Sequence, residues 1–409
     1  MLTEPAHGAA LVAEGTDRSG ATWLVRRAAL AYVAIAIALT AVGALATSLP
    51  DTKGTLEFGG SDVLAGWCHY DCGWYVDIAD RGYFYIPGTQ SSVAFFPGYP
   101  LVARPLARLI DNTPLALIMV TWVAGLATVM LFAFWCATRL ERRTALTTVA
   151  CFALYPYGWF LYGAGYADAL FLALAIGAFV LLERDHALLA GLAGAAAGAT
   201  RPVGVAVAVG LLLRAIERRG GLPARTDSTR LGAFGIPARL DLRALQRRDL
   251  WVLLAPAGLV AWSVWLWARF DDPFAYSTVQ KAWQQAEGPH TWFKLTFGYQ
   301  VLHDSDFGYR AGLVVQALLT LVVLVAVPLV ARRFGASYGA YTLAAVALPA
   351  VATSNFQGMG RYLLGAFPVF ALAGTLLAER PRVRTPVLVG AGTLLVIGAF
   401  GFARHWYLT

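Results

Sequence analysis

The chain has 409 residues, of which 58% are hydrophobic and only 14% charged, with a mean hydropathy of +0.60. That balance excludes a soluble globular protein and reads as an integral membrane protein. The net charge of +8 and pI near 9.4 do not point to nucleic acid, because the basic excess is Arg on short segments between apolar runs, where anionic lipid headgroups attract it.

The first 22 residues are polar and lack the apolar core of a cleavable signal peptide, and Arg26 and Arg27 precede the first apolar run as in a start-transfer anchor. Eleven apolar runs can be placed near 28–48, 114–138, 144–162, 166–182, 187–200, 202–217, 250–268, 311–331, 337–353, 362–378 and 386–402. Each crosses, or nearly crosses, a hydrocarbon core of about 30 Å. Those between 144 and 217 are short and split by Pro156, Asp168 and the pair Arg201-Pro202, as in broken or re-entrant helices. With the N-terminus inside, the inner segments hold 21 of the 32 basic residues and the outer ones 11, the asymmetry expected of cytoplasmic loops. The expected architecture is an all-α polytopic bundle of about 11 transmembrane helices. It has a cytoplasmic tail at 1–27 and an N-terminal half at 28–213 with a long exoplasmic loop at 49–113. An Arg-rich cytoplasmic linker at 214–249, with an amphipathic piece near 239–248, leads to a C-terminal half at 250–409 whose exoplasmic loop is 269–310. Gly194 and Gly198 in GLAGAAAGAT have the spacing of close helix packing.

The first exoplasmic loop carries the most chemistry. Asp71, Trp74, Tyr75 and Ile78 fall at helical spacing, so a short interfacial helix presents the acid and its aromatic neighbours on one face. An acid among Trp67, Tyr70, Trp74 and Tyr75 at the membrane edge is costly unless it faces water or a cavity, which marks a functional site rather than a plain aromatic belt. Beyond Pro97 and Pro100, Arg104 and Arg108 lie four apart on a second short helix. Cys68 and Cys72 could pair, although their spacing strains a disulfide if the segment is helical, or could ligate a metal with His69 and Asp71, for which no second cluster supplies the remaining ligands. Cys136 and Cys151 sit in apolar runs as small hydrophobes.

Residues 71–83 read DxxWYxxIAxxGY and are followed by FFPGYPL at 95–101. This pattern resembles the PIG-V-type mannosyltransferases, polytopic GT-C glycosyltransferases whose first exoplasmic loop carries an Asp, then WYxxIAxxGY, then an FFPxYP-like segment. LYPYGWFLYGAGYADALFLAL at 154–174, TRPVG at 200–204 and RYLLGAFPVF at 361–370 are similar to further family elements, so the resemblance covers about half the chain. Tyr70 stands where a Trp commonly precedes the Asp, and Asp168 where Glu is usual; neither change removes an aromatic wall or an oxygen ligand.

Independently of that resemblance, the residues suit transfer of a sugar from a lipid phosphate. Asp71 is the candidate general base for the acceptor hydroxyl. Arg201 and Arg361, at outer span ends, suit forked contacts to phosphate. Asp168, Tyr362, Trp74, Tyr75, Tyr99 and Arg104 complete the substrate-binding candidates. No metal site is assigned, and a divalent cofactor stays open. The resemblance implies transfer of mannose from polyprenyl phosphate mannose to a glycolipid, glycan or protein acceptor, by an inverting mechanism, at the outer face of the plasma membrane and without nucleic acid. Competing readings are a lipid or sugar transporter or flippase, for which no inverted repeat is found, a non-catalytic subunit, and a transferase using another lipid-linked sugar.

The charge asymmetry makes a topology prediction: a reporter fused after Thr409 is expected to report the outer side and one inserted within 220–238 the cytoplasm. An impermeant thiol reagent that labels cysteines placed at 60 and 230 from the same side would contradict it.

Overall fold

The computed structural model describes residues 18–50, 62–222, 241–285 and 288–406. Most of the tail at 1–27, part of the first exoplasmic loop and the centre of the Arg-rich linker lie outside the described residues. The regular structure among the described residues is helical. The first half contains α1 (Arg18–Ser48), α2 (Asp71–Arg81), α3 (Gly98–Ile110), α4 (Thr113–Ala137), α5 (Arg142–Ala153), α6 (Asp168–Glu183), α7 (Ala187–Thr200) and α8 (Gly204–Arg218). The second half starts with a 3₁₀ segment, Arg247–Leu254, that leads into α9 (Ala257–Phe270). Single turns α10 (Ala275–Thr278) and α11 (Pro289–Trp292) and the short α12 (Leu295–His303) precede α13 (Phe307–Phe334) and α14 (Ala336–Ala352). The turn α15 (Met359–Tyr362), α16 (Phe367–Ala378) and α17 (Pro381–Ala403) complete it.

All eleven apolar runs coincide with helical segments among the described residues. Among the described residues α1, α4, α13 and α17 are each long and apolar enough to cross a membrane. Two bent pairs, Arg247–Leu254 with α9 at 42° and Met359–Gly365 with α16 at 84°, raise the number to six. Helices α5 to α8 run for only 12 to 16 residues, about 18–24 Å at 1.5 Å per residue, which is short of the hydrocarbon core. The breaks lie where the sequence placed them, between Ala153 and Asp168 around Pro156 and between Thr200 and Gly204 at Arg201-Pro202.

Local chemistry sets several boundaries. Asn112 accepts from the backbone N–H of Leu115 at 3.0 Å to cap α4, and Asp306 accepts from that of Tyr309 at 3.1 Å to cap α13. The glycine stripe of α7 is a packing seam: a Cβ at Gly191 would stand 2.1 Å from the Trp251 carbonyl oxygen, and one at Gly194 2.7 Å from the Ala255 Cβ. Gly258 answers from α9, where a Cβ would stand 1.8 Å from the Ala195 oxygen. The main core is an aromatic interlock of Phe132, Trp135, Phe179, Tyr338 and Phe367, which joins α4, α6, α14 and α16. Outside it, Arg404 at the end of α17 donates to the carbonyls of Ala46, Leu49 and Pro50 at the end of α1.

Around the C-terminal end of α6 the bundle is tied by charge. Glu183 of α6 is bonded by Arg139, in the turn that follows α4, accepts from Arg214 of α8 at 3.1 Å, and accepts from the Tyr338 hydroxyl of α14 at 2.6 Å. Arg214 also holds Glu217 at 2.9 Å, so removal of Glu183 costs chiefly its bonds to Arg139 and Tyr338, a loss of about 1.5–3 kcal/mol for a charge-assisted hydrogen bond. Glu183→Ala is therefore expected to lower the thermal midpoint in detergent markedly, read by tryptophan fluorescence. A midpoint within about a degree of the parent would remove this cluster from the stability of the bundle.

Candidate active site

Asp71 is the first residue of α2, and its backbone N–H donates to the Tyr166 hydroxyl at 3.3 Å. Of the four residues expected on one face, Asp71, Trp74 and Tyr75 line one cavity, while Ile78 is buried, as is Cys72. Trp74 stacks on Phe95 with ring centroids 5.6 Å apart, and Tyr75 meets Phe95 edge-on at 5.3 Å, so the FFPGYP segment buttresses the helix. Cys68 and Cys72 form a disulfide with Cα atoms 5.1 Å apart. Cys68 lies before the helix begins, which removes the expected geometric conflict. Among the described residues no group of three or more His, Cys, Asp and Glu converges, so the metal alternative at CHYDC gains no ligand set.

The second family-like stretch is the seat for this loop. A Cβ at Gly165 would stand 2.4 Å from the Cys72 sulfur, and one at Gly163 2.7 Å from the Trp67 ring. The backbone N–H of Gly165 donates to the Trp67 carbonyl at 2.9 Å. Small residues before Tyr166 thus allow the outer segment to approach closely enough for Asp71 and Tyr166 to meet.

Two acid–arginine pairs stand side by side in the wall. Asp71 pairs with Arg361 of α15 at 3.0 Å, and Asp168, the first residue of α6, pairs with Arg201 just beyond α7. Asp71 binds neither Arg81, which holds Asp77 at 3.1 Å, nor Arg104. The Asp168–Arg201 pair is the deeper, its side chains only 4% and 11% exposed, whereas the Asp71 side chain is 31% exposed to the cavity. The Tyr362 ring lies between the cations, its centroid 4.6 Å from the Arg201 guanidinium carbon and 5.4 Å from that of Arg361, and Tyr166 is 5.0 Å from the latter. The α15 backbone is held on both sides: Gly360 donates to the Gln316 side-chain oxygen at 2.9 Å and accepts from the Tyr155 hydroxyl at 3.0 Å.

Asp71, Trp74, Tyr75, Asp168, Arg201, Arg361 and Tyr362 all line one cavity of about 700 Å³. Tyr99 and Arg104 do not. Tyr99 is fully buried behind Tyr75, its hydroxyl 2.8 Å from the Leu117 carbonyl and 2.7 Å from Thr121, because the two short helices pack through this ring against α4. Arg104 lies on α3, outside the lining of this cavity. Trp283 lines the cavity, whereas Trp292 is an exposed residue away from it. Sequence reasoning missed a further part of the lining, Gln and Asn side chains on 280–285, 300 and 355–357. The available signal was a density of amides in QKAWQQ and SNFQ, unusual beside apolar spans.

No family model matches the chain. Over 162 residues the chain is 34% identical to the GPI alpha-1,6-mannosyltransferase 2 of Rattus norvegicus, an alignment covering 37% of this chain and 32% of that protein. The protein of the same name from Homo sapiens is 33% identical over 162 residues with the same coverage. The matched part thus spans about a third of the length of these curated relatives. Among solved structures, the chain is similar to the archaeal oligosaccharyltransferase of Archaeoglobus fulgidus in complex with an inhibitory peptide and a dolichol-phosphate, with a TM-score of 0.44 and 9% identity over 92% of this chain and 56% of that one. A second structure of the Archaeoglobus fulgidus oligosaccharyltransferase, with Zn and sulfate, gives a TM-score of 0.45 and 12% identity over 94% of this chain and 53% of that one. The relatives bear out the resemblance read from the DxxWYxxIAxxGY pattern.

Two residues before Asp71, His69 is buried against His405, with ring centroids 3.7 Å apart. Burial, followed by the neighbouring His405, lowers the His69 pKa from 6.5 to about 4. Stability from the neutral ring is then complete above pH 6.5 and falls as the pH drops towards about 4, since the unfolded chain binds the proton more readily. His69→Phe is expected to flatten that part of the stability-versus-pH curve; an unchanged slope would assign it to other groups.

Proposed function

We propose that the chain is a membrane mannosyltransferase of the GT-C type that moves a mannosyl residue from polyprenyl phosphate mannose to an acceptor hydroxyl at the outer face of the plasma membrane, with inversion at the anomeric carbon. The observation that carries this reading is the convergence of the Asp71–Arg361 and Asp168–Arg201 pairs on either side of Tyr362, in one cavity large enough for a sugar. The similarity to the mammalian mannosyltransferases supports mannose as the sugar.

In the proposed step the acceptor oxygen attacks the anomeric carbon, and its proton passes to a carboxylate oxygen of Asp71. The new C–O bond forms on the face opposite the phosphate. The old bond breaks with its electron pair leaving on polyprenyl phosphate. Asp71 starts bound to Arg361 at 3.0 Å. A phosphate that takes this guanidinium in a forked contact releases the carboxylate to act as base and receives stabilisation as its charge grows. Arg201, held by Asp168, supplies the second cation. Trp74 and Tyr75 offer ring faces to the sugar, and Leu- and Val-rich helix faces accommodate the polyprenyl tail.

Asp71→Asn is expected to lower transfer by roughly 10² to 10⁴ while retaining donor binding. Arg361→Ala and Arg201→Ala are each expected to raise the donor requirement about 10- to 150-fold, the loss of one charge-assisted hydrogen bond. Arg361→Lys recovers only part, because an ammonium lacks the fork. Radiolabelled lipid-linked mannose and purified protein provide the assay, run with and without a divalent chelator. Near-normal turnover by Asp71→Asn removes it as the base, and movement of intact lipid-linked sugar across vesicles without cleavage favours the transporter.

A further inference from the structure

The polarity of α12 is reversed relative to a helix whose outer side meets water. Leu295, Tyr299 and Leu302 stand at i, i+4 and i+7, one face of the helix, and all three are exposed. The polar side chains lie on the other side: Thr296 and Gln300, again four apart, line the cavity. That side is also the one held by protein, since Phe297 meets Phe356 edge-on with centroids 5.0 Å apart and the Gln300 Oε1 accepts from the Asn355 Nδ2 at 2.8 Å. Trp292 and Phe293 before the helix and Phe307 after it add to the apolar surface, and these six large side chains are between 52% and 76% exposed.

The neighbouring span fixes the height of this face. Helix α13 runs for 28 residues, about 42 Å at 1.5 Å per residue, which matches the roughly 40–45 Å of a bilayer with its headgroup layers. With Arg332 and Arg333 of its last turn in one headgroup layer, Phe307 at its start stands in the other. Only Asp304, Ser305 and Asp306 separate α12 from that point, a reach of about 10 Å when extended. The C-terminal end of α12 therefore lies at the lipid boundary. Trp292 and Tyr299 suit that depth, because each ring is apolar with one polar edge. Helix α12 contains no Lys or Arg and is followed by two acids, so its attraction to a membrane is apolar and not electrostatic.

We infer that α12 is a membrane-docking helix: its Leu295, Tyr299 and Leu302 face, with Trp292, Phe293 and Phe307, sits in the interfacial layer of the phospholipid bilayer on the cavity side of the molecule. The partner is the uncharged glycerol and acyl boundary of the lipids. An apolar surface of this kind left in water would be uncovered at a cost, and burial in that layer removes the cost. One helix then separates lipid from cavity, with the bilayer against one face and Thr296 and Gln300 on the other. The inference concerns binding to the bilayer and does not depend on which reaction the cavity performs.

The test uses the full chain in phosphatidylcholine nanodiscs, in a Cys136→Ala, Cys151→Ala background that keeps the Cys68–Cys72 disulfide. A single nitroxide is placed through Leu302→Cys, Tyr299→Cys or Ser305→Cys, all exposed positions. The labels at 302 and 299 are expected to meet oxygen in preference to a water-soluble nickel chelate, at a depth of about 5–10 Å. The label at 305 is expected to show the reverse preference. Exchanging part of the phosphatidylcholine for phosphatidylglycerol, or adding salt, is expected to leave these depths unchanged. Equal nickel access at all three sites overturns the inference, because the face then meets water. Exclusion of both reagents at 302 and 299 also overturns it, in favour of a second copy or another segment of this chain covering the face. A depth that appears only with the anionic lipid overturns the apolar mode of docking. Should the cysteine-depleted background fail to fold, the unaltered sequence is probed with phosphatidylcholine carrying a diazirine in its acyl chain. Photolabel is then expected on peptides from 292–307, and its absence there overturns the inference.

Discussion

The constraint that organises this molecule is the cost of placing charge in apolar surroundings. An isolated carboxylate or guanidinium at membrane depth is unfavourable by several kcal/mol, and pairing removes most of that only when the partners are brought together with good geometry. The chain meets this condition at both ends of the bundle. At the end away from the cavity, Glu183 gathers Arg139 from the turn after α4, Arg214 of α8 and Tyr338 of α14. At the cavity, Asp71 and Asp168 are matched to arginines distant in sequence, Arg361 and Arg201. Each pair forces two segments into one place. The breaks that shorten α5, α6 and α7 are the means by which charged residues reach those places without crossing the full apolar layer.

The two ends differ in what the pairing leaves available. Glu183 is held by two arginines and a tyrosine hydroxyl. At the cavity each acid has one cation, Asp71 keeps nearly a third of its side-chain surface open, and Tyr362 spaces the guanidiniums. Such an arrangement holds its charges ready for exchange: an incoming anion can take one guanidinium while the carboxylate it frees stays in contact with the cavity. Preorganisation of this kind is the main electrostatic resource available to a site with little room for rearrangement.

Much of this was legible in the sequence because the relevant signals are local. The i, i+3, i+4 and i+7 spacing of Asp71, Trp74, Tyr75 and Ile78 fixes one face of a helix, and the breaks at Pro156 and Pro202 follow from proline chemistry. The glycines of α7 signalled a seam without revealing its partner, α9. What remained hidden depended on distant packing. Tyr99 shares a motif with surface-facing neighbours, and only the approach of α4 turns its hydroxyl inward to Leu117 and Thr121. Asp71 had nearer arginines in sequence than Arg361, which lies 290 positions away. The amides of the lining carry neither charge nor periodicity, so they acquire meaning only once three segments are folded together.

The contact between Arg404 and the end of α1 joins positions more than 350 residues apart. During insertion from the N-terminal side, the carbonyls at the end of α1 therefore wait for Arg404 until α17 emerges. Contacts of such long separation form late, after most of the entropy of ring closure has been lost. The exposed carbonyls at 46 to 50 are then a vulnerable point of biogenesis, sensitive to shortening or burdening the far end even though that end is remote from the cavity. Length of residence in the insertion machinery, more than the intrinsic stability of any one helix, would govern how much chain reaches its closed form.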